Sequence, residues 1–304
     1  MNPISGHPWS ARRRAVRALL KALGERPAEV LITEKPRQAT QWAKARAMDA
    51  NAVVIAVGGD GTVHEVATGL MGGVASLGVL PVGSGNDFAS MLDNPIDLLQ
   101  ASATAVIEFF QSAPSRAVDV GWVVLTHADG TRQEAPFINS LGAGLEGAVA
   151  GTVQRLRSIK GLTRYVLATL WQVARYRPLA MRLQSACGGI AEKQPSHKLL
   201  LAIGNGRRAG GGFVLQPEAS ITDGYLDVCW ADALPIWQQL RILPSVFVGE
   251  HGQFDGVHQH AIQSMEIECD TGMPVHLDGE WVADRAIRLE VRVKPAALSV
   301  VGLS

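Results

Sequence analysis

Residues 53–66 read VVIAVGGDGTVHEV. Five apolar residues, Val53 to Val57, run into Gly58, Gly59, Asp60, Gly61 and Thr62. A stretch apolar at every position suits a strand covered on both faces. A turn needs one or two glycines, so three around a carboxylate point to something bulky close to the backbone. Glycine-rich turns from strand to helix expose N–H groups and the positive end of a helix, which suits phosphate. Thr62 and Glu65 have the spacing of a capping box, which predicts a helix over about 62–70. Asp60 beside phosphate requires a cation or a donor network, so a magnesium nucleotide is expected. The bland reading, a tight turn with Asp60 as its cap, stays open at this point.

Outward from this stretch, ASLGVLPV at 75–82 is a second apolar strand, followed by GSGNDFASML at 83–92. That segment repeats the pattern of glycine turn and helix. Consecutive parallel strands end on one edge, so both loops are expected to meet on one ligand. Asn86 and Asp87 suit hydrogen bonds to a ribose or base, or simple caps. AEVLITE at 28–34 reads as a strand, and SARRRAVRALLKALG at 10–24 and RQATQWAKARAMDA at 37–50 read as helices. Alternation of strand and helix over 30–122 predicts a parallel sheet with helices on both faces. A Rossmann fingerprint places its acidic residue about 20 positions after the loop, and a P-loop carries a lysine. Neither pattern is present.

Beyond residue 120 the texture changes. PFINSLGAGLEGAVA at 136–150 reads as a strand followed by glycines, and one long amphipathic helix is expected over about 156–176. Several later segments alternate with period two, most clearly Ile287, Leu289, Val291 and Val293. Short alternating strands predict an antiparallel, half-buried sheet. The expected architecture is α/β with two domains: a three-layer α/β nucleotide-binding domain (1–121 plus 294–304) and a β-rich, sandwich-like domain (122–293). The apolar tail PAALSVVGLS is expected to pack on the first domain. His258 and His260 have no third metal ligand at sensible spacing and read as strand or loop residues.

The chain has 304 residues, 47% of them hydrophobic and 18% charged, and its 28 basic and 28 acidic side chains balance. Zero net charge gives no global argument for nucleic acid or an anionic membrane. Cys187, Cys229 and Cys269 form no disulfide framework and fit a reducing, cytoplasmic setting. No apolar run approaches the roughly 18 residues of a spanning helix, so any lipid contact is expected to be peripheral.

NPISG (2–6), GGDGTVHEV (58–66), LPVGSGNDFA (80–89), DVG (119–121), GNGRRAGGGFVLQPEASITDGYLDV (204–228) and HLDGEW (276–281) recur in this order. With them the chain resembles bacterial lipid kinases of the diacylglycerol kinase catalytic-domain family over nearly its whole length. The resemblance implies a cleft between the two domains and ATP-dependent phosphorylation of a lipid hydroxyl, with diacylglycerol the first expectation. It implies that Asn2, Pro3, Ser5 and Gly6 form a first nucleotide loop. Gly58, Gly59, Asp60, Gly61, Thr62 and Glu65 would then surround the phosphates, and Gly83, Ser84, Gly85 and Asn86 would form the second loop. It implies a Mg²⁺ held by the Asp223 carboxylate and the carbonyls of Ser220 and Tyr225, linked to Asp60 through water. Asp278 would be the general base and Glu280 its acidic neighbour. His64 stands where the family has asparagine, and Met1 directly precedes Asn2 where the family has an apolar strand. That start is expected to mean either an upstream gene start or a sheet lacking one strand.

Arg207 and Arg208 are candidates for an anionic headgroup. LPIWQQLRILPSVFVG at 234–249 is a candidate wall for a lipid chain or a core helix broken by Pro244, and Trp9 with the arginines at 12–14 is a weaker membrane candidate. The expected partner is a lipid at a membrane surface, with no nucleic acid; a homodimer is left open. Two alternatives remain: a kinase acting on a nucleotide, as NAD kinases do, and a nucleotide-sensing module without catalysis.

Overall fold

The computed structural model describes residues 18–19, 21, 24, 29–83, 85–92, 102–156, 162–186 and 189–303. The chain forms two compact units, Met1–Val118 with Ala296–Ser304, and Asp119–Pro295.

In the first unit the order is α1 (Gln38–Arg46), β1 (Val53–Gly58), α2 (Asp60–Leu70), β2 (Ser76–Pro81) and α3 (Ala103–Ser112). β1 and β2 pair in parallel, from Val53 opposite Ser76 to Gly58 opposite Pro81, as a helical crossover requires. Val57, Leu80, Val82, Val106, Phe110 and Val301 form a buried cluster. α1 packs closely on α2 because Gly69 has no side chain: a Cβ there would lie 2.7 Å from Cβ of Ala43. Ser102 caps α3, its hydroxyl accepting from the Ala105 N–H at 3.2 Å.

The chain leaves this unit along β3 (Ser115–His127) and continues through β4 (Arg132–Phe137), β5 (Ser140–Gly144), α4 (Leu145–Arg155) and α5 (Leu162–Val173). There follow β6 (Leu179–Gln184), β7 (Ser196–Gly204), the short β8 (Arg208–Ala209) and β9 (Phe213–Val214), and β10 (Leu226–Asp232). The last elements are α6 (Ile236–Val246), β11 (Val257–Ile262), β12 (Ser264–Leu277) and β13 (Glu280–Val301). The second unit is antiparallel throughout: β13–β12–β5–β7–β10–β11, with β6 against β12 and β7, and β3 against β4. Leu289 and Val291 are buried, while Arg288 and Glu290 on the alternate face make ion pairs with Glu266 and Arg132. The far end of β13 lies in the first unit, where Ser299 and Val300 pair in parallel with Ser76 and Leu77 of β2.

Several expectations are corrected. Residues 29–34 carry no regular strand, and Val30 and Ile32 are exposed. GSGNDFASML contains no α-helix among its described residues, only a 3₁₀ turn at Ala89–Met91. The expected long helix over 156–176 is replaced by two shorter ones, α4 and α5, the first starting eleven residues early at Leu145. The helix 10–24 lies almost wholly outside the described residues. His258 and His260 stack on Trp230, with ring centroids 4.9 and 5.2 Å away, and His258 also meets Asp232 at 2.9 Å. Among the described residues no cluster of histidine, cysteine and carboxylate side chains has metal-site geometry. No helix there is long and apolar enough to cross a membrane.

Candidate active site

In the first unit the two glycine loops meet. β1 ends at Gly58, and Gly59 caps α2 with φ −94° and ψ −171°, an extended conformation open to any residue. The glycines are therefore required by space and not by backbone angle. A Cβ on Gly58 would strike the side chain of Thr62. One on Gly83 would lie 2.5 Å from Cα of Gly59 and 2.7 Å from Oδ1 of Asn86. The bulky neighbour that the sequence called for is thus, in part, the other loop.

Asn86 locks the contact. Its backbone N–H donates to Oδ2 of Asp60 at 2.8 Å, its Oδ1 accepts from the Gly83 N–H at 2.9 Å, and its Nδ2 donates to the Gly83 carbonyl at 3.2 Å. Asn86 holds φ +59°, a left-handed conformation that asparagine tolerates. Asp60, Gly83 and Asn86 are brought together as one constellation at the start of α2. The Thr62 hydroxyl is buried beside it and has no hydrogen-bond partner among the described residues. An orphaned buried hydroxyl next to exposed turns and a helix start is what a phosphate-bearing ligand would complete. Asn2, Pro3, Ser5, Gly6 and Ser84 lie outside the described residues.

The capping box is absent. Glu65 reaches α1 instead, where Oε1 accepts from the Arg37 N–H at 3.1 Å and Oε2 from the Ala39 N–H at 3.2 Å. Both carboxylate oxygens are engaged at a helix N-terminus, so Glu65 serves α1 and its placement against a nucleotide has no support in this geometry.

In the second unit Asp278 and Gly279 form the two-residue turn between β12 and β13, with φ +48° and +81°. Positive φ at both positions is the twist a tight hairpin needs. The Asp278 carboxylate is wrapped by the junction of β4 and β5. It accepts from the N–H groups of Ile138, Asn139 and Ser140, each at 2.9 Å. These bonds fix its orientation, and a proton arriving there competes with three donors. Glu280, the next residue but one, is exposed.

Asp223 sits in the turn before β10. Its Oδ1 accepts from the Tyr225 N–H at 3.0 Å. Asp119, quoted in DVG without a role of its own, is buried and accepts from the Gly224 N–H at 2.7 Å. Burial, and then the charges of Asp223 and Glu218, push the Asp227 carboxyl up to about 6. Ser220 Oγ lies 3.4 Å from Thr222 Oγ1 in the same turn. The donor set here is one carboxylate with turn carbonyls in an acidic surrounding. That fits a Mg²⁺ that keeps several waters, and not an all-protein cage.

An open cavity of about 150 Å³ lies within the second unit. Its walls are apolar, including Val149, Leu199, Phe213, Ile242, Leu243 and Val246, and Gly279 borders it. Ile242, Leu243 and Val246 thus come from the expected wall at 234–249, whereas Trp237 and Leu240 of the same helix face outward, 59% and 47% exposed. Arg207 is tied to the Ala219 carbonyl at 3.0 Å. Two polar residues that were given no role from the sequence, Glu146 and His276 (the first residue of HLDGEW), also line this cavity.

Comparison with known proteins agrees with this arrangement. Residues 1–123 match the model of the diacylglycerol kinase catalytic domain, and residues 139–302 that of the YegS C-terminal NAD kinase beta sandwich-like domain. A diacylglycerol kinase of Mycobacterium tuberculosis is 29% identical over 302 residues, spanning 99% of this chain and 93% of its own. The "probable lipid kinase YegS-like" of Pseudomonas aeruginosa is 32% identical over 300 residues, spanning 97% and 91%. The crystal structure of a diacylglycerol kinase from Bacillus anthracis superposes with a TM-score of 0.65 at 18% identity, covering 99% and 94% of the two chains. Yeast NADH kinase complexed with NADH superposes with a TM-score of 0.57 at 12% identity, covering 100% and 82%, a likeness of fold alone. The chain is a kinase of the diacylglycerol kinase family, and its activity is that of a lipid kinase in the broad sense.

Proposed function

We propose that the protein transfers the terminal phosphoryl group of ATP to the hydroxyl of a lipid, with diacylglycerol the first candidate. The observation that carries this reading is the apolar cavity bordered by Gly279, so that the Asp278 turn stands at the edge of a chain-binding slot. A slot of this kind, apolar with few polar groups, suits an acyl chain and presents its polar end next to a carboxylate.

Gly58, Gly59, Asp60, Gly61, Thr62, Gly83, Gly85 and Asn86 would hold the nucleotide, and Asp223 with the Ser220 and Tyr225 carbonyls would hold Mg²⁺. ATP supplies the phosphoryl group, and the cation neutralises its charge. Within the chain, Asp278 accepts the hydroxyl proton as transfer proceeds, and Glu280 adds negative charge beside it. Asn86 holds Asp60 in place toward the phosphate loop.

The lipid is met at a membrane surface. Leu167, Leu170 and Trp171 of α5 and Ile236, Trp237 and Leu240 of α6 are all exposed apolar side chains, and neither helix contains an acidic residue. Apolar and aromatic side chains without carboxylates suit the headgroup region of a bilayer.

The test is transfer from labelled ATP, with Mg²⁺, to diacylglycerol, phosphatidylglycerol, monoacylglycerol and sphingoid bases in mixed micelles, with NAD in the same panel. Phosphorylation of a lipid is the expected result; transfer to NAD and to no lipid overturns the reading. Asp278→Asn should abolish transfer. The amide also turns an N–H₂ toward the donors of 138–140, so a fall of about 1–3 kcal/mol in stability accompanies the loss. Full activity in that variant removes Asp278 as the proton acceptor.

A further inference from the structure

We propose that Glu146 and His276 are the headgroup-reading end of the cavity, selecting an uncharged lipid that offers a hydroxyl and turning away anionic lipids. The inference rests on the lipid-kinase reading above and deepens it.

The two residues are 130 positions apart and are joined by the pairing of β5 with β12, which sets His276 opposite Gly142. His276 is 4% exposed. Its Nδ1 accepts from the Gly279 N–H at 3.3 Å, which leaves the ring proton on Nε2. Nε2 faces Oε1 of Glu146 at 3.2 Å. The other oxygen, Oε2, is buried and has no partner among the described residues. Gly142 gives the pair its room: a Cβ there would lie 2.5 Å from that same oxygen.

Both side chains line the cavity, and a second orphan is found with them. Gln239 donates its Nε2 to the Leu234 carbonyl at 2.8 Å, while its Oε1 is buried without a partner among the described residues. Both unmatched atoms belong to residues that line the cavity and both are acceptors, on a wall to which Tyr165 and Thr169 add hydroxyls. A buried acceptor calls for a donor, so the complementary ligand is apolar with hydroxyl groups. A phosphate-bearing lipid would bring a second negative charge to Glu146 in a poorly hydrated site, and is disfavoured. The same repulsion would act on the phosphorylated product and favour its release. The bond from the Gly279 N–H to His276 ties this pair to the turn that carries Asp278.

The experiment measures binding without ATP, by quenching of tryptophan fluorescence with bromine-labelled lipids in neutral micelles. The ligands are diacylglycerol, its analogue with hydrogen in place of the free hydroxyl, and phosphatidic acid. Wild type should bind diacylglycerol roughly tenfold or more tightly than the deoxy analogue, the size expected for a bond to a buried charged acceptor. Phosphatidic acid should bind worst. In Glu146→Gln the preference for the hydroxyl should shrink and phosphatidic acid should gain affinity. His276→Gln, which releases Glu146 from its anchor, should blunt the hydroxyl preference and serves if the first variant does not fold. Unchanged ranking in either folded variant overturns the proposal. Transfer to lipid with a ranking independent of Glu146 sinks this inference alone. A ranking dependent on Glu146, without transfer to any lipid, upholds it and sinks the kinase substrate assignment.

Discussion

Replacing Gly83 with alanine tests the contact between the two glycine loops. The added carbon would stand 2.5 Å from Cα of Gly59 and 2.7 Å from Oδ1 of Asn86. Ordinary contact needs roughly 3.5–4 Å, so the loops must part by about 1 Å. Neither neighbour is the free end of a flexible side chain. The displacement breaks the two Asn86–Gly83 bonds at 2.9 and 3.2 Å and weakens the bond from the Asn86 N–H to Asp60 at 2.8 Å. Two neutral bonds at about 1 kcal/mol each and one to a charged group at about 1.5 kcal/mol sum to roughly 3 kcal/mol. With the bond to Asp60 weakened and not lost, the total stays at about 3 kcal/mol and not about 3.5, a fall of about 6–12 °C in the thermal midpoint. Gly59→Ala should be milder, since its Cβ would meet Cα of Gly83 at 3.1 Å, a few tenths of an ångström too close. Thermal unfolding of both variants, with ATP titrated by calorimetry, decides the matter. ATP affinity should fall strongly in Gly83→Ala because Asp60 and Asn86 lose their register. Equal midpoints for Gly83→Ala and wild type would refute the steric argument, as would a Gly59→Ala variant that is the more damaged of the two.

Glu65→Ala should lower stability by about 1–2 kcal/mol, through loss of the cap and of the favourable charge at the start of α1, without changing the ATP affinity of the folded protein. A loss of ATP affinity with unchanged stability would return Glu65 to the nucleotide site. Asp227 has its folded-state pKa raised from 3.8 to about 6, so the folded protein holds a proton there that the unfolded chain has already lost. Its contribution to stability is therefore undiminished below about pH 4, declines between about pH 4 and 6 and stays low above. Asp227→Asn, measured with a chelator present, should match wild type near pH 4 and exceed it by about 1 kcal/mol at pH 8, after allowance for partial exposure. An equal gain at both pH values would show that the charge is not the cause.

The parallel sheet was legible because Val53–Gly58 and Ser76–Pro81 are apolar runs closed by glycine loops, a local signal. β13 was legible because Leu289 and Val291 alternate with charged residues. α4 was not, because its start lies in a stretch read as a strand followed by glycines, Gly147 among them. Gly147 is there for a neighbour: a Cβ would lie 2.8 Å from the backbone nitrogen of Val275 on β12 and nearer still to Pro274. A requirement imposed by a strand far away in sequence leaves no local trace. Glu65 carried the right spacing for a capping box, but the N–H groups of α1 provided another use for its carboxylate. The glycines at 58, 59 and 83 were recognisable as special, yet only the structure shows that a side chain and a facing loop fill the space. Glu146 belongs to no short motif, His276 opens HLDGEW without a role of its own there, and the two meet only through strand pairing.

The return of β13 has a bearing on how the protein is made. Ser299 and Val300 complete the sheet beside β2, and Leu77 and Val300 are wholly buried there. These residues leave the ribosome after the whole of the second unit. All of Asp119–Pro295 is translated first, so at roughly 5–20 residues per second the nascent first unit waits about ten seconds or more for the strand that pairs with β2. During that interval the outer edge of β2 offers unpaired N–H and carbonyl groups beside apolar side chains, an invitation to pair with another chain. Ribosome-bound chains stalled before residue 296 should therefore be held by chaperones or digested readily, and slowing translation late in the message should lower the yield of intact protein.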